Sequence, residues 1–214
     1  MSNNFLPYGR HSIDEDDIAA VAQVLQGDFL TTGPAVDAFE EKLVQITGAK
    51  FAISCSSGTA ALHLAALTMD LGPDDKVVVP SITFLATANA ARYVRANVVF
   101  CDVDANTGLM RPQDLEEAIA EHGTSIKAVF PVHLAGQSPD MQKIGIIARR
   151  HEIIVVEDSC HALGATYQTI GGDAPVGSCR DGDMATFSFH PVKTVAMGEG
   201  GAITTNNANL AARL

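Results

Sequence analysis

The sequence predicts an α/β protein, a three-layer sandwich with a mostly parallel central sheet. Three observations lead there. Short β-branched runs alternate with helical stretches along the chain. The strand runs are apolar throughout, as strands covered on both faces must be. Polar residues collect just after strands, at the ends where open α/β sheets place their ligands.

The elements follow in order. Ser12-Ile-Asp-Glu15 reads as a capping box, and Ile18, Val21, Ala22, Val24 and Leu25 give the helix behind it an apolar stripe. A turn at Thr31-Thr-Gly-Pro34 leads to a second helix with Val36, Phe39, Leu43 and Ile46 on one face. Strands are expected at Phe51 to Cys55, Lys76 to Pro80, Val98 to Val103, Ile126 to Val132, Ile153 to Val156, Ala185 to Phe189 and Ala202 to Thr205. Between them, helices open at Ser57-Gly-Thr59, run from Leu85 to Tyr93, start on Pro112 and reach Ala120, and span Asp140 to Arg150. Residues 1–48 thus form an N-terminal helical segment and 49–214 the sheet-bearing domain. The chain stops within what reads as the next helix, Asn209 to Leu214, which suggests a fragment of a longer protein.

Composition narrows the function. The chain has 214 residues, 47% hydrophobic and 18% charged, which is globular. Lys plus Arg is 14 and Asp plus Glu 25, a formal charge of −11 that disfavours an extended nucleic-acid binder. No run is long enough to cross a membrane. Residues 1–10 lack the basic start and apolar core of a signal peptide, so a cytoplasmic location is expected. Cys55, Cys101, Cys160 and Cys179 have no metal-ligand spacing and read as reduced, small apolar residues; no metal is expected.

Several residues could carry chemistry. Lys193 lies in Phe187-Ser-Phe-His-Pro-Val-Lys193, between a buried strand and the loop Met197-Gly-Glu-Gly-Gly201. An amine among apolar neighbours becomes a nucleophile suited to Schiff-base chemistry; the plain alternative is a surface lysine. Asp158 ends an apolar strand and needs a partner, either the protonated ring nitrogen of a cofactor or a cap or ion pair. Ser57-Gly-Thr59 opens a helix directly after a strand, which makes an anion site or a simple N-cap. Ser188 adds a hydroxyl shortly before Lys193, on one strand face with Thr186 and His190. Phe84 is a stacking ring or a core residue, and His161 an acid–base group or a structural histidine. Together these residues describe one ligand: an aromatic ring with a carbonyl, a basic nitrogen and a phosphate. That ligand is pyridoxal 5′-phosphate (PLP). Neither GxGxxG after the first strand nor GxxxxGK[ST] is present for a nucleotide.

The motifs also carry a resemblance. Leu30-Thr-Thr-Gly-Pro34, Ser57-Gly-Thr-Ala-Ala-Leu62, Pro80-Ser-Ile-Thr-Phe84, Pro131-Val-His-Leu-Ala-Gly136, Glu157-Asp-Ser-Cys-His161 and the Lys193 segment with Gly198-Glu-Gly-Gly201 resemble the DegT/DnrJ/StrS family of PLP-dependent nucleotide-sugar aminotransferases. The resemblance implies the large domain of PLP-transferase fold type I, with the family's C-terminal small domain absent. It implies that Lys193 holds PLP covalently, Asp158 pairs with the ring nitrogen, and Gly58, Thr59 and Ser188 cradle the phosphate. It places Phe84 on the ring, His161 beside it, and Tyr8, Phe29, Leu30 and Thr31 toward the sugar. L-glutamate as amino donor, a homodimer, and no nucleic-acid or membrane partner are further implications.

Phe-Ser-Phe-His-Pro-Val-Lys-Thr and the Tyr167-Gln168 pair look most like the branch that aminates C4 of UDP-4-keto-6-deoxy-N-acetyl-altrosamine for pseudaminic acid and surface glycans. Two rivals stand beside this expectation. A PLP-dependent sugar dehydratase of the same fold would carry histidine in place of Lys193. A truncated cofactor-binding module would bind without turnover.

Overall fold

A computed structural model describes residue 7 and residues 9–214. Helices α1 (Glu15–Gln26) and α2 (Pro34–Thr47) precede the sheet. The α1 cap differs from expectation. Asp14, rather than Ser12, accepts from the backbone N–H groups of Asp16 and Asp17 at 3.0 and 3.1 Å, and Asp17 accepts from Asp14 N–H. A carboxylate serves both free amides and complements the helix dipole, which a hydroxyl two residues earlier does not. The expected face of α2 is only partly used: Leu43 is buried, whereas Val36 and Ile46 stay exposed.

The remaining elements are β1 (Phe51–Cys55), α3 (Gly58–Thr68), β2 (Lys76–Pro80), α4 (Leu85–Tyr93), β3 (Asn97–Cys101), α5 (Pro112–His122), β4 (Ile126–Val129), α6 (Met141–Arg150), β5 (Ile154–Asp158), β6 (Thr166–Thr169), β7 (Gly172–Pro175), β8 (Met184–Ser188), β9 (Gly201–Thr205) and α7 (Ala208–Arg213). Seven strands form one sheet in the order β1-β9-β8-β5-β4-β2-β3. All neighbours are parallel except β8–β9 and β9–β1. Two reversals return β1 to the common direction. Six strands therefore point their carboxyl ends to one edge, where β9 begins at Gly201.

The sheet is covered on both faces, as the apolar strands require. Val78 joins a core with Leu115 of α5 and Ile144 of α6, whereas Val77 and Val79 join Leu62 of α3 and Ala90 of α4 on the other face. Adjacent valines in one strand thus feed opposite layers, by the two-residue period of a strand. The alanines of α3 and α4 let those helices lie close to each other and to the sheet. A third cluster packs Leu43 of α2 against Phe187 and Phe189, with Phe39 edge-on to Phe189 at 5.2 Å.

Strand ends shift from those expected. β3 ends at Cys101 and β4 at Val129, while β5 runs on to include Glu157 and Asp158. The β6–β7 hairpin has no counterpart in the expected elements. Only Tyr167 and Ala174 turn into the core from it, too few for a periodic signal.

Candidate active site

A cavity of about 490 Å³ opens at the carboxyl edge, lined by residues from β1–α3, β2–α4, β5 and β8 with their following loops. Gly58, Thr59, Phe84, Asp158, His161, Ser188 and Lys193 all line it. Phe29, Leu30 and Thr31 do not. They lie exposed in the α1–α2 connection. Tyr8 lies outside the described residues.

The first wall is the start of α3. Ser57 caps it, its Oγ accepting from Ala60 N–H at 3.1 Å. The Gly58 and Thr59 amides have no carbonyl a turn behind them to bond, so they are open to an anion at the positive end of the helix. Ser188, the last residue of β8, stands against this turn. A Cβ on Gly58 would meet Ser188 Cβ at 2.7 Å and Cys160 Sγ at 3.0 Å. Gly201 at the start of β9 locks the turn from outside, since a Cβ there would lie 2.2 Å from the Ser57 carbonyl oxygen. Both glycines are required by close approach.

Asp158 forms the floor. It is 4% exposed. Its Oδ2 accepts from the Thr87 hydroxyl at 2.6 Å and its Oδ1 from Cys160 N–H at 3.2 Å. Its backbone bonds to Pro131 and His133 extend the sheet by a bridge at Val132. The carboxylate is therefore anchored at both oxygens.

Lys193 lines the cavity from the loop that follows β8. Its N–H donates to the His190 carbonyl at 2.8 Å, closing a tight turn after β8. Phe189 brackets the loop, donating to Gly200 and accepting from Met197, each at 2.9 Å. The Lys193 side chain is half-buried against the cavity. His161 is held neutral. Burial lowers its pKa most, the Lys193 charge lowers it further, and Asp158 opposes both. Its Nδ1 accepts from Ala135 N–H at 3.4 Å. Phe84 precedes α4 at the mouth and is 70% exposed, so it is not core.

Thr83, Thr87 and Cys160 were not anticipated from the sequence. The four-residue spacing of Thr83 and Thr87, one helical turn, was the available signal. Conversely, His133 and Glu157 sit at strand ends yet face the α6 layer. They are fully buried and joined through His133 Nε2 and Glu157 Oε2 at 2.9 Å. Among the described residues no cluster of three or more His, Cys, Asp or Glu is placed to hold a metal.

Residues 11–214 match the profile of the DegT/DnrJ/EryC1/StrS aminotransferase family. The chain belongs to this family. A family relative, the UDP-4-amino-4-deoxy-L-arabinose--oxoglutarate aminotransferase of Shewanella sediminis, is 42% identical over all of this chain and 53% of its own length. An aminotransferase structure from Psychrobacter cryohalolentis aligns with a TM-score of 0.87 and 33% identity, covering 94% of this chain and 50% of that one. NtdA of Bacillus subtilis, solved with bound cofactor PMP, aligns at 0.82 and 33% identity, covering 93% of this chain and 43% of its own. The chain thus spans about half the length of the relatives it matches. Its fold is the expected three-layer α/β sandwich.

Proposed function

We propose that the cavity holds PLP and that the protein transaminates a UDP-linked 4-keto sugar with L-glutamate as amino donor. The carrying observation is that Lys193, Asp158 and the Gly58–Thr59–Ser188 cradle converge on one cavity from three separate strand ends, those of β1, β5 and β8. The residues present fit the group. The cradle is kept free of side chains by close approach at Gly58, and a buried carboxylate faces it from the floor. When bound, PLP supplies a carbonyl that takes up amino groups and a ring that accepts the electron pair left at the substrate carbon.

Each residue then has a duty. Lys193 Nζ holds the carbonyl and, once released, carries the proton to and from the substrate carbon. The Asp158 carboxylate keeps the proton on the ring nitrogen, since an opposite charge favours the charged form. The α3 amides, with Thr59 and Ser188, bind the phosphate. Phe84 and His161 flank the ring, and neutral His161 adds no charge that would compete with Lys193.

The Shewanella relative's name supports the donor, because oxoglutarate is the keto acid of glutamate. Two sugars fit. The motif resemblance favours the 6-deoxy hexose of pseudaminic acid, and the relative's name favours a 4-amino pentose. Both are UDP-linked and aminated at C4. On this reading Phe29, Leu30 and Thr31, exposed in the α1–α2 connection, meet the sugar bound by a second copy in a homodimer. The surface of α1 supports that assembly: none of its residues is buried, and Ile18, Val21, Val24 and Leu25 are exposed. The four cysteines are unpaired, as in a reducing cytoplasm. No described helix is long and apolar enough to cross a membrane.

Borohydride reduction of the PLP-loaded chain, followed by peptide mapping, places the pyridoxyl group on Lys193; a label on another lysine overturns the assignment. Mass-spectrometric assay against UDP- and dTDP-linked keto sugars separates the hexose from the pentose. Light scattering at micromolar concentration gives the mass of two chains, and a mass of one removes the dimer.

A further inference from the structure

Thr87 is fully buried, yet its hydroxyl points at the cavity floor. It donates to Asp158 Oδ2 at 2.6 Å and lies 2.7 Å from the Thr83 hydroxyl, which lines the cavity. A hydroxyl has one proton to give, and an ionised carboxylate can only accept. The Thr87 proton is therefore committed to Asp158. Thr83 must then be the donor to Thr87. The chain of bonds has one direction, from the cavity wall through α4 to the carboxylate. Among the described residues only Cys160 N–H otherwise holds Asp158's side chain. Without Thr87 the carboxylate keeps one anchor and is free to rotate about it.

From this we infer that Thr87 is a positioning residue. It sets the rotation of the Asp158 carboxylate and hence its pairing with the ring nitrogen, with Thr83 fixing the direction of the Thr87 proton. The inference rests on the PLP reading given above. Thr87 touches neither ligand nor reacting atoms and acts only through Asp158. The ionisable groups lining the cavity with Asp158 are Cys160, His161, His190, Lys193 and Glu199. None of them bonds to Thr87, so its replacement leaves them in place.

The test is the pH titration of visible absorbance of the PLP-loaded chain, which reads the proton shared between Lys193 and the cofactor. A cation at the ring nitrogen disfavours that second proton, so loosening its carboxylate partner lets the midpoint rise. Thr87→Val keeps the shape and removes the hydroxyl. Its midpoint should rise by about half a unit, roughly a threefold change in the proton equilibrium. Thr87→Ser should restore the parent value, and Asp158→Asn should give a larger rise. An unmoved midpoint in Thr87→Val, beside a moved one in Asp158→Asn, overturns the role of Thr87 alone. An unmoved midpoint in Asp158→Asn, or a parent that takes up no PLP at Lys193, overturns the PLP reading and this inference with it. If Thr87→Val fails to fold, Thr83→Val should still raise the midpoint, and a parent-like value there overturns the relay.

Discussion

Gly58 and Ser188 meet so closely that a side chain at position 58 would put its first carbon 2.7 Å from Ser188 Cβ. Alanine is a better helix former than glycine, so Gly58→Ala would stabilise α3 in isolation. Here the clash outweighs that gain, because Cys160 Sγ closes the other side at 3.0 Å. Gly58→Ala is expected to lower stability by about 1–3 kcal/mol, the usual cost of overpacking. It should weaken PLP binding by about tenfold or more, since the displaced turn carries the amides proposed to hold the phosphate. Thermal melting and a PLP titration measure the two effects. An unchanged PLP affinity would place the phosphate elsewhere.

Beneath the sheet edge, Glu157 and His133 are both fully buried and have each other as partner at 2.9 Å. His133 Nδ1 is engaged with Ser138 at 2.8 Å, so its imidazole is fixed at both nitrogens. Glu157→Ala strands the imidazole in a dry site. A loss of about 3 kcal/mol is expected, as for one partner removed from a buried polar pair. Glu157→Gln retains an acceptor and should lose less. Urea unfolding of the two variants gives the order, and equal losses would show that the carboxylate charge, which both variants remove, is at stake rather than packing or the retained acceptor.

All four thiols are held protonated, with burial the leading cause at each. Cys55 is pushed up, Cys101 up to about 12, and Cys160 and Cys179 well above the usual thiol range. In the unfolded chain they ionise near their ordinary values, so above pH ~9 the folded state binds more protons. Stability is then complete below that pH and falls as pH rises toward 12. Cys101 alone costs about 2 kcal/mol near pH 10.5 by this linkage. Urea midpoints near pH 8 and pH 10.5 should show the drop, and Cys101→Ala should shrink it. A flat profile would mean the thiols ionise freely in the fold.

Legibility in the sequence followed the strength of the local pattern. Val77-Val78-Val79 is apolar on both faces because both faces are covered, and β2 was read to its exact ends as Lys76 to Pro80. Lys193 and Asp158 were visible because a charge beside an apolar run needs a reason. The reversal of β9 was not visible, since direction is set by pairing with β1 and β8 and not by composition. Nor was the Thr83–Thr87–Asp158 chain, whose threonines are ordinary in type and lie some 71 residues before the carboxylate they serve. Phe29, Leu30 and Thr31 lie away from the cavity, and their proposed role belongs to an assembly of two chains.

Asp158→Asn isolates charge from shape. The amide can turn its oxygen to Cys160 N–H, and the Thr87 hydroxyl can reverse to accept from the amide nitrogen. Both anchors therefore survive and the fold should be kept. What is lost is the negative charge at the cavity floor, which on the proposed reading holds a proton on the ring nitrogen. Without it the electron pair released at the substrate carbon is less well accepted, while the phosphate cradle and Lys193 are untouched. The variant should still take up PLP and still be labelled at Lys193. Its single-turnover reaction with L-glutamate, followed by stopped-flow absorbance, should slow about a hundredfold or more, equivalent to about 2.7 kcal/mol of transition-state stabilisation. The loss should appear in the rate of the chemical step and not in PLP affinity, because the charge acts on the transition state more than on the bound cofactor. A variant reacting at the parent's rate would assign the ring-nitrogen proton to another group.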